Sequence, residues 1–368
     1  MKDPLLTSTI NPLEPDYDFE DQSDDDKFYF KMGPKGKENE SFYIEDVLTI
    51  MKIPLKRRLT CKAKQHAKPK IILSWNTGHG IKNLGGCKDW NCLVINDKSR
   101  LNEADAESPK NSLPYRTIIL DYFNFSLGYR HDTIGASPYG YTVKLAPQSR
   151  RKPPLYDANL IGGKTKGAAW FVSQCRTSSR RENIIKKLQK YFLVDVYGNC
   201  GKLKCPRNSP CEKMLDTDYH FYMAFENSIC NDYITEKLWN FGYKREIIPI
   251  VLKRSIVKPY VPPNSFIAAD DFRSITDLAH YLNYLIKNKT AYTEYFNWRS
   301  DYKVVSLDGK IHDALERPWG FCQVRNRELC LYNFNKWIDE SCENDGDLAE
   351  RIFNITLYDV INDRFGGV

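Results

Sequence analysis

The second half of this 368-residue chain alternates short apolar runs with longer helix-patterned segments, and few architectures accept that alternation. Residues 167–173 read as a strand. Arg180 to Tyr191 reads as a helix, with Ile184, Ile185, Leu188 and Phe192 as its apolar positions. Strands follow at 193–198 and 219–226, then a helix from about Asp232 to Tyr243, a strand at 246–252 and a further helix from Leu278 to Lys287. Near-continuous apolar strands separated by amphipathic helices are strands covered on both faces, so the pattern predicts an α/β fold with a parallel, doubly wound sheet.

The first half is less regular. Residues 1–66 read as a disordered, stem-like leader: Glu14 to Asp26 holds eight acids and no Lys or Arg, and Lys52 to Lys70 is strongly basic. One helix is expected inside it, at Glu45 to Met51. Order begins at Lys70–Trp75, a buried strand running into a Gly-rich turn at Asn76–Gly80. A loop from Gly85 to Cys92, which a Cys87–Cys92 disulfide could clip, precedes a strand at Arg116–Tyr122 and a Gly/Pro/Tyr-rich stretch at 135–141. Basic residues 149–154 and Gly162-Gly163 mark a boundary, giving an N-terminal domain at 67–160, a C-terminal domain at 161–345 and a tail at 346–368.

Composition narrows the class. At 42% hydrophobic and 27% charged, the chain is neither disordered throughout nor fibrous. A net charge of +7 points weakly to an anionic ligand and falls short of a nucleic-acid footprint. No apolar run approaches eighteen residues, and Met1 to Glu20 lacks the layout of a secretory signal, so the sequence as written reads as soluble. Eleven cysteines include no C-x2-C pair, which favours disulfides over zinc. They cluster as Cys87 with Cys92, Cys200 with Cys205 and Cys211, and Cys322 with Cys330 and Cys342. Sequons at Asn39, Asn124, Asn288 and Asn354 suit the same oxidising compartment. That compartment requires a signal or an anchor, and the sequence shows neither.

In a doubly wound sheet, ligands bind beyond the carboxyl ends of the strands. The most loaded strand end is Phe225-Glu226-Asn227-Ser228, running into the segment from Ile229 to Trp239. Asn231 or Asp232 can cap the helix that follows, whose free N–H groups would form an anion site. Tyr233, Thr235, Glu236 and Lys237 sit within its first two turns. A ring, a carboxylate and an ammonium match a nucleoside diphosphate. The same residues also suit an amphipathic helix with ordinary surface charges, and Glu226 suits a buried structural carboxylate as well as a ligand contact.

Residues 221–239 resemble the signature of the α1,3-fucosyltransferases, glycosyltransferase family 10. Supporting stretches are Leu73-Ser-Trp-Asn76, Cys87-Lys-Asp-Trp-Asn-Cys92, Glu107-Ser-Pro109, Tyr129-Arg-His-Asp132, Ser137-Pro-Tyr-Gly-Tyr141, Asp195-Val-Tyr-Gly198, Pro262-Pro-Asn-Ser-Phe266 and Tyr295-Phe-Asn-Trp-Arg299. The resemblance spans roughly residues 70–342 and is nearest to the invertebrate enzymes acting on the N-glycan core. It implies a GT-B fold, with two Rossmann-like domains facing a cleft, and inverting transfer of fucose from GDP-β-L-fucose to a GlcNAc of an N-glycan, in the chitobiose core. Glu107 would be the catalytic base. Arg181, Asn227, Tyr233, Glu236 and Lys237 would bind the donor, with Glu226, Ser228 and Thr235 behind them. GDP-fucose and a glycoprotein acceptor are the implied partners, with no nucleic acid. No metal or other cofactor is required, Mn2+ being at most a stimulant. Asp24–Asp26 and Asp270-Asp271 read as surface acids, and His79 and His131 as loop hydrogen-bonders.

The sequence departs from the family in four places. About two dozen residues that normally precede Glu-Ser-Pro are missing, which should leave Glu107 without its positioning strand. The family's C-terminal C-x2-C becomes Cys322-x7-Cys330, the tail after Cys342 has no counterpart, and the Golgi membrane anchor of type II family members is absent. Without that anchor the product would be cytosolic. The alternatives are a donor-binding isoform without transfer activity, a Lewis-type antennary enzyme and a non-enzymatic glycan binder.

Overall fold

The computed structural model describes residues 21–24, 27–33, 41–50, 70–74, 92–95, 97, 99–100, 106–108, 127–131, 135–307, 315, 341–343 and 348. The expected strand at 116–122, the Cys87–Cys92 clip, His79, Cys322 and Cys330 lie outside the described residues.

Strands β1 (Asp21–Asp24), β2 (Lys27–Met32) and β3 (Phe42–Leu48) open the chain. Beside β3 runs β9 (Gly140–Leu145), and beside β9 runs β15 (Tyr302–Ser306), which closes a five-stranded antiparallel sheet. These strands correct the expectation of disorder for the described part of the 1–66 leader, and β3 replaces the helix expected from Glu45; the remainder of 1–66 lies outside the described residues. Phe30, Met32, Phe42, Ile44 and Val47 are buried against Tyr141, Val143, Leu145 and Val305. The register shifts between Ile44 and Asp46, an irregularity that returns Val47 to the core face. Glu45 stays outside, paired with Lys144 at 2.9 Å. Acid-rich neighbours hide a two-residue alternation, which becomes visible only once β9 is there to cover it. Likewise, β15 comes from the stretch assigned to the C-terminal domain but pairs with residues 140–144.

A second sheet is parallel and three-stranded: β5 (Cys92–Ile95), β4 (Lys70–Ser74) and β6 (Ala106–Ser108), with β4 central. Glu107 lies on β6 opposite Leu73, so the backbone at Glu107 does have a strand, contrary to the expectation that the shortened sequence would remove it. Short strands β7 (Leu127–Gly128) and β8 (Gly135–Ala136) pair with each other.

The C-terminal sheet comprises β10 (Lys166–Phe171), β11 (Val194–Tyr197), β12 (Tyr219–Met223), β13 (Ile248–Val251) and β14 (Ile267–Ala268), all parallel, in the order β11-β10-β12-β13-β14. Every residue of β12 and β13 is buried. On one face Ile184, Ile185 and Leu188 of the helix Arg181–Leu188 join Leu278, Leu282 and Leu285 of the helix Ile275–Lys287 over Trp170, Phe221, Met223 and Ile250. On the other, Leu238, Trp239 and Tyr243 cover Ala169, Tyr222 and Val251. Each such side chain contributes about 1.5–3 kcal/mol on burial, which is why this half reads so clearly from its sequence.

The segment expected as a helix from Asp232 begins instead at Glu236 and runs as a π-helix over Lys237–Tyr243. Asp232 is left-handed, at φ 61°, and caps nothing there. Among the described residues three disulfides form: Cys175–Cys200, Cys205–Cys211 and Cys230–Cys342. Cys200 therefore pairs outside its sequence cluster. Because β10 and β11 are parallel neighbours, the loops after their carboxyl ends meet, which brings the Cα atoms of Cys175 and Cys200 to 5.2 Å. Asn288 of the third sequon caps a helix, its side chain accepting from the N–H of Ala291.

Candidate functional site

The chain leaves β10 towards β11 on one side, while β12 pairs on the other. This is the point at which a doubly wound sheet opens a crevice. A cleft of about 280 Å3 lies there, lined by Gln174, Arg181, Arg207, Tyr222, Asn227, Glu236 and Lys237 among others. Four of the five expected donor-binding residues, Arg181, Asn227, Glu236 and Lys237, thus share one cavity.

Arg181 is the first residue of its helix and is only 2% exposed, which excludes a solvent-facing role. Its Nη1 donates to the carbonyl of Phe225 at 2.5 Å and its Nη2 to that of Gln174 at 3.3 Å. Burial pulls its pKa below the usual guanidinium value, opposed by Glu226 and Glu182. The turn before the helix is tied to the β12 strand end: the N–H of Ser179 donates to the carbonyl of Asn227, and its hydroxyl to that of Glu226.

Glu226 organises the other wall. It accepts from the N–H and hydroxyl of Thr235, both at 2.8 Å, and from Lys237 Nζ at 2.7 Å. The anion site expected at this helix start is therefore filled by the protein's own carboxylate. Burial pushes the Glu226 carboxyl upward, against the pull of Lys237 and Thr235. Glu226 and Thr235 are structural groups that aim Lys237, whose ammonium also lies 3.7 Å from Glu236.

Tyr233 and Ser228 are separated from this set. They line a separate small cavity of about 20 Å3 together with Glu226. The Tyr233 ring lies 5.0 Å from that of Tyr129, and burial pushes its hydroxyl pKa up. Ser228 shares a hydrogen bond with Ser178 at 3.0 Å. Asp232 accepts from the hydroxyl of Tyr260 at 2.5 Å and from the N–H of His131 at 2.9 Å. The His131 ring stacks on Tyr260 at 4.1 Å, and its Nδ1 shares a hydrogen bond with the Thr49 hydroxyl at 3.1 Å, the kind of contact expected for it.

Three polar atoms at the cleft, Arg181 Nε, Tyr222 Oη and Asn227 Oδ1, are buried without hydrogen-bond partners among the described residues. Each such group costs about 1–3 kcal/mol, and their concentration at one cavity makes it the candidate binding site. Sequence reasoning missed Gln174, Tyr222 and Arg207. Gln174 was reachable, since it follows the β10 strand end as Asn227 follows that of β12, and the Asn227 amide donates to its Oε1 at 2.8 Å. Among the described residues no group of three or more His, Cys, Asp or Glu could hold a metal. Asp270 and Asp271 both engage Arg254. No helix among the described residues is long and apolar enough to cross a membrane.

A sequence model of glycosyltransferase family 10 (fucosyltransferase), C-terminal part, matches residues 161–330. Alpha-(1,3)-fucosyltransferase fut-1 of Caenorhabditis elegans is 51% identical over 354 residues, covering 88% of this chain and 81% of that protein. Alpha-(1,3)-fucosyltransferase C of Drosophila melanogaster is 41% identical over 213 residues, covering 52% of this chain and 50% of that protein. A crystal structure of an α1,3-fucosyltransferase with GDP superposes with a TM-score of 0.50 at 16% identity, covering 75% of this chain and 96% of that one. At that identity the likeness is one of fold, α/β with the two facing domains of GT-B.

Proposed function

The chain belongs to glycosyltransferase family 10, the fucosyltransferases, and from that premise we propose that it transfers L-fucose from GDP-β-L-fucose, with inversion, in α1,3 linkage to a GlcNAc of the N-glycan chitobiose core. The observation that carries the donor half is the meeting of Arg181, Asn227, Glu236 and Lys237 around one cleft with unpartnered polar atoms in its wall. Arg181 and Lys237 neutralise the diphosphate, and Glu236 holds the ribose hydroxyls. Tyr233, which lines the small cavity beside Glu226 and not the cleft, keeps its place in the donor subsite only by the family resemblance.

Inversion requires one displacement. Glu107 takes the proton of the acceptor 3-hydroxyl as its oxygen bonds to fucose C1, the C1–O bond to the diphosphate breaks, and GDP leaves with that electron pair. The placement of Glu107 on β6 is compatible with this role. With cationic side chains at the leaving group the reaction needs no metal, and Mn2+ acts at most as a stimulant. Three disulfides support a lumenal, oxidising location, the Golgi in this reading.

The test is transfer of labelled fucose to defined N-glycans, with GDP binding followed by calorimetry. A glycosidase-mapped α1,3 product on the core GlcNAc is expected, and Glu107→Gln should abolish it while GDP still binds. Transfer to antennary GlcNAc alone would replace the acceptor assignment. GDP binding with no product would make the chain a donor-binding isoform.

A further inference from the structure

The loop after β11 is closed by the Cys205–Cys211 disulfide, six residues apart, and its tip carries Arg207. Pro206 and Ser209 make the turn, with the Ser209 hydroxyl donating to the carbonyl of Pro206 at 2.6 Å, and Asn208 is left-handed, at φ 59°. Glu212 then fixes the loop from behind. Its Oε1 accepts the N–H of Asn208 at 2.8 Å, and its Oε2 accepts Arg245 at 2.9 Å. Glu212, which lines the cleft with Arg207, is thus occupied.

Arg207 itself is exposed, lines the donor cleft and has no hydrogen-bond or ion-pair partner among the described residues. The other cations of the cleft are committed. Arg181 gives both terminal nitrogens to carbonyls, and Lys237 is bonded to Glu226 and Thr235. Among the described residues Arg207 is therefore the cleft guanidinium whose terminal nitrogens are unbonded, beside an Arg181 that keeps only its Nε without a partner, and it is suited to bidentate contact with phosphate oxygens.

Resting on the donor-site reading above, we infer that Arg207 is a further diphosphate-binding residue, and that the Cys205–Cys211 disulfide holds it over the cleft. Reduction of that disulfide frees the loop and lowers donor affinity.

The experiment is calorimetry of guanosine, GMP and GDP with the full chain and with Arg207→Gln, Arg207→Lys and Cys205→Ser/Cys211→Ser. Arg207→Gln should weaken GDP about tenfold or more and leave guanosine within about twofold. Lys should recover part of the loss. The double serine variant should weaken GDP similarly, with Arg207→Gln adding little on top of it. Equal GDP affinity in Arg207→Gln, or an equal loss for guanosine, overturns the assignment of Arg207 while leaving the donor site standing. A double serine variant that binds GDP normally overturns the role of the disulfide. Failure of the unmodified chain to bind GDP removes the donor-site reading and this inference with it.

Discussion

Lys164 is 6% exposed, yet among the described residues its only hydrogen-bond partners are carbonyls: Leu215 at 3.1 Å and Tyr219 at 2.6 Å. Burial strips water from its ammonium and brings its pKa down to about 8, against the pull of Asp216, Glu246 and Asp218. In the unfolded chain it titrates near 10.4. Between these two values the unfolded state binds more protons than the folded one, so this group makes stability rise with pH. Below pH 8 both states are protonated and the full penalty applies. A gap of this size is worth about 3 kcal/mol, recovered at up to roughly 1.4 kcal/mol per pH unit above pH 8. Urea unfolding of the native chain and of Lys164→Met from pH 7 to 9.5 isolates the effect, because all other groups titrate in both. The native chain should gain about 1–2 kcal/mol on the variant across that range. The offset at pH 7 decides nothing, since the variant relieves a buried charge but leaves two carbonyls unsatisfied. A difference that stays flat, or falls with pH, would refute the reasoning.

Two further outcomes are expected. Glu226→Ala takes from Lys237 its carboxylate partner at 2.7 Å, leaving Thr235 and the more distant Glu236, and leaves the N–H of Thr235 unsatisfied, for a loss of roughly 3 kcal/mol or more in urea unfolding and at least tenfold in GDP affinity. Glu226→Gln restores volume and an acceptor and should recover most of the stability. Gly140→Ala would put a Cβ 2.4 Å from the Trp239 ring, so it should lower stability by about 1–3 kcal/mol in a thermal melt, and an unchanged midpoint would show that this packing yields.

The parallel sheet at 166–268 was legible because its strands are covered on both faces, so their apolar character is nearly unbroken; β12 and β13 needed no partner to be recognised. The strand-end rule led to Asn227 and the residues after it, and the resemblance led to Arg181. The antiparallel sheet was not legible. Its β3 residues alternate among charges, and the strand that covers them lies about a hundred positions away.

Residue types and local spacing by themselves determined the α/β class and pointed to the β12 strand end, and the resemblance carried by residues 221–239 supplied the family. Only the tertiary structure decided which charges are free. Glu226 and Lys237 satisfy each other, Asp232 turns to Tyr260 and His131, and Arg207 is left facing the cleft. Pairing of charges depends on distances between strand ends and loops far apart in the chain, and no local pattern encodes those distances.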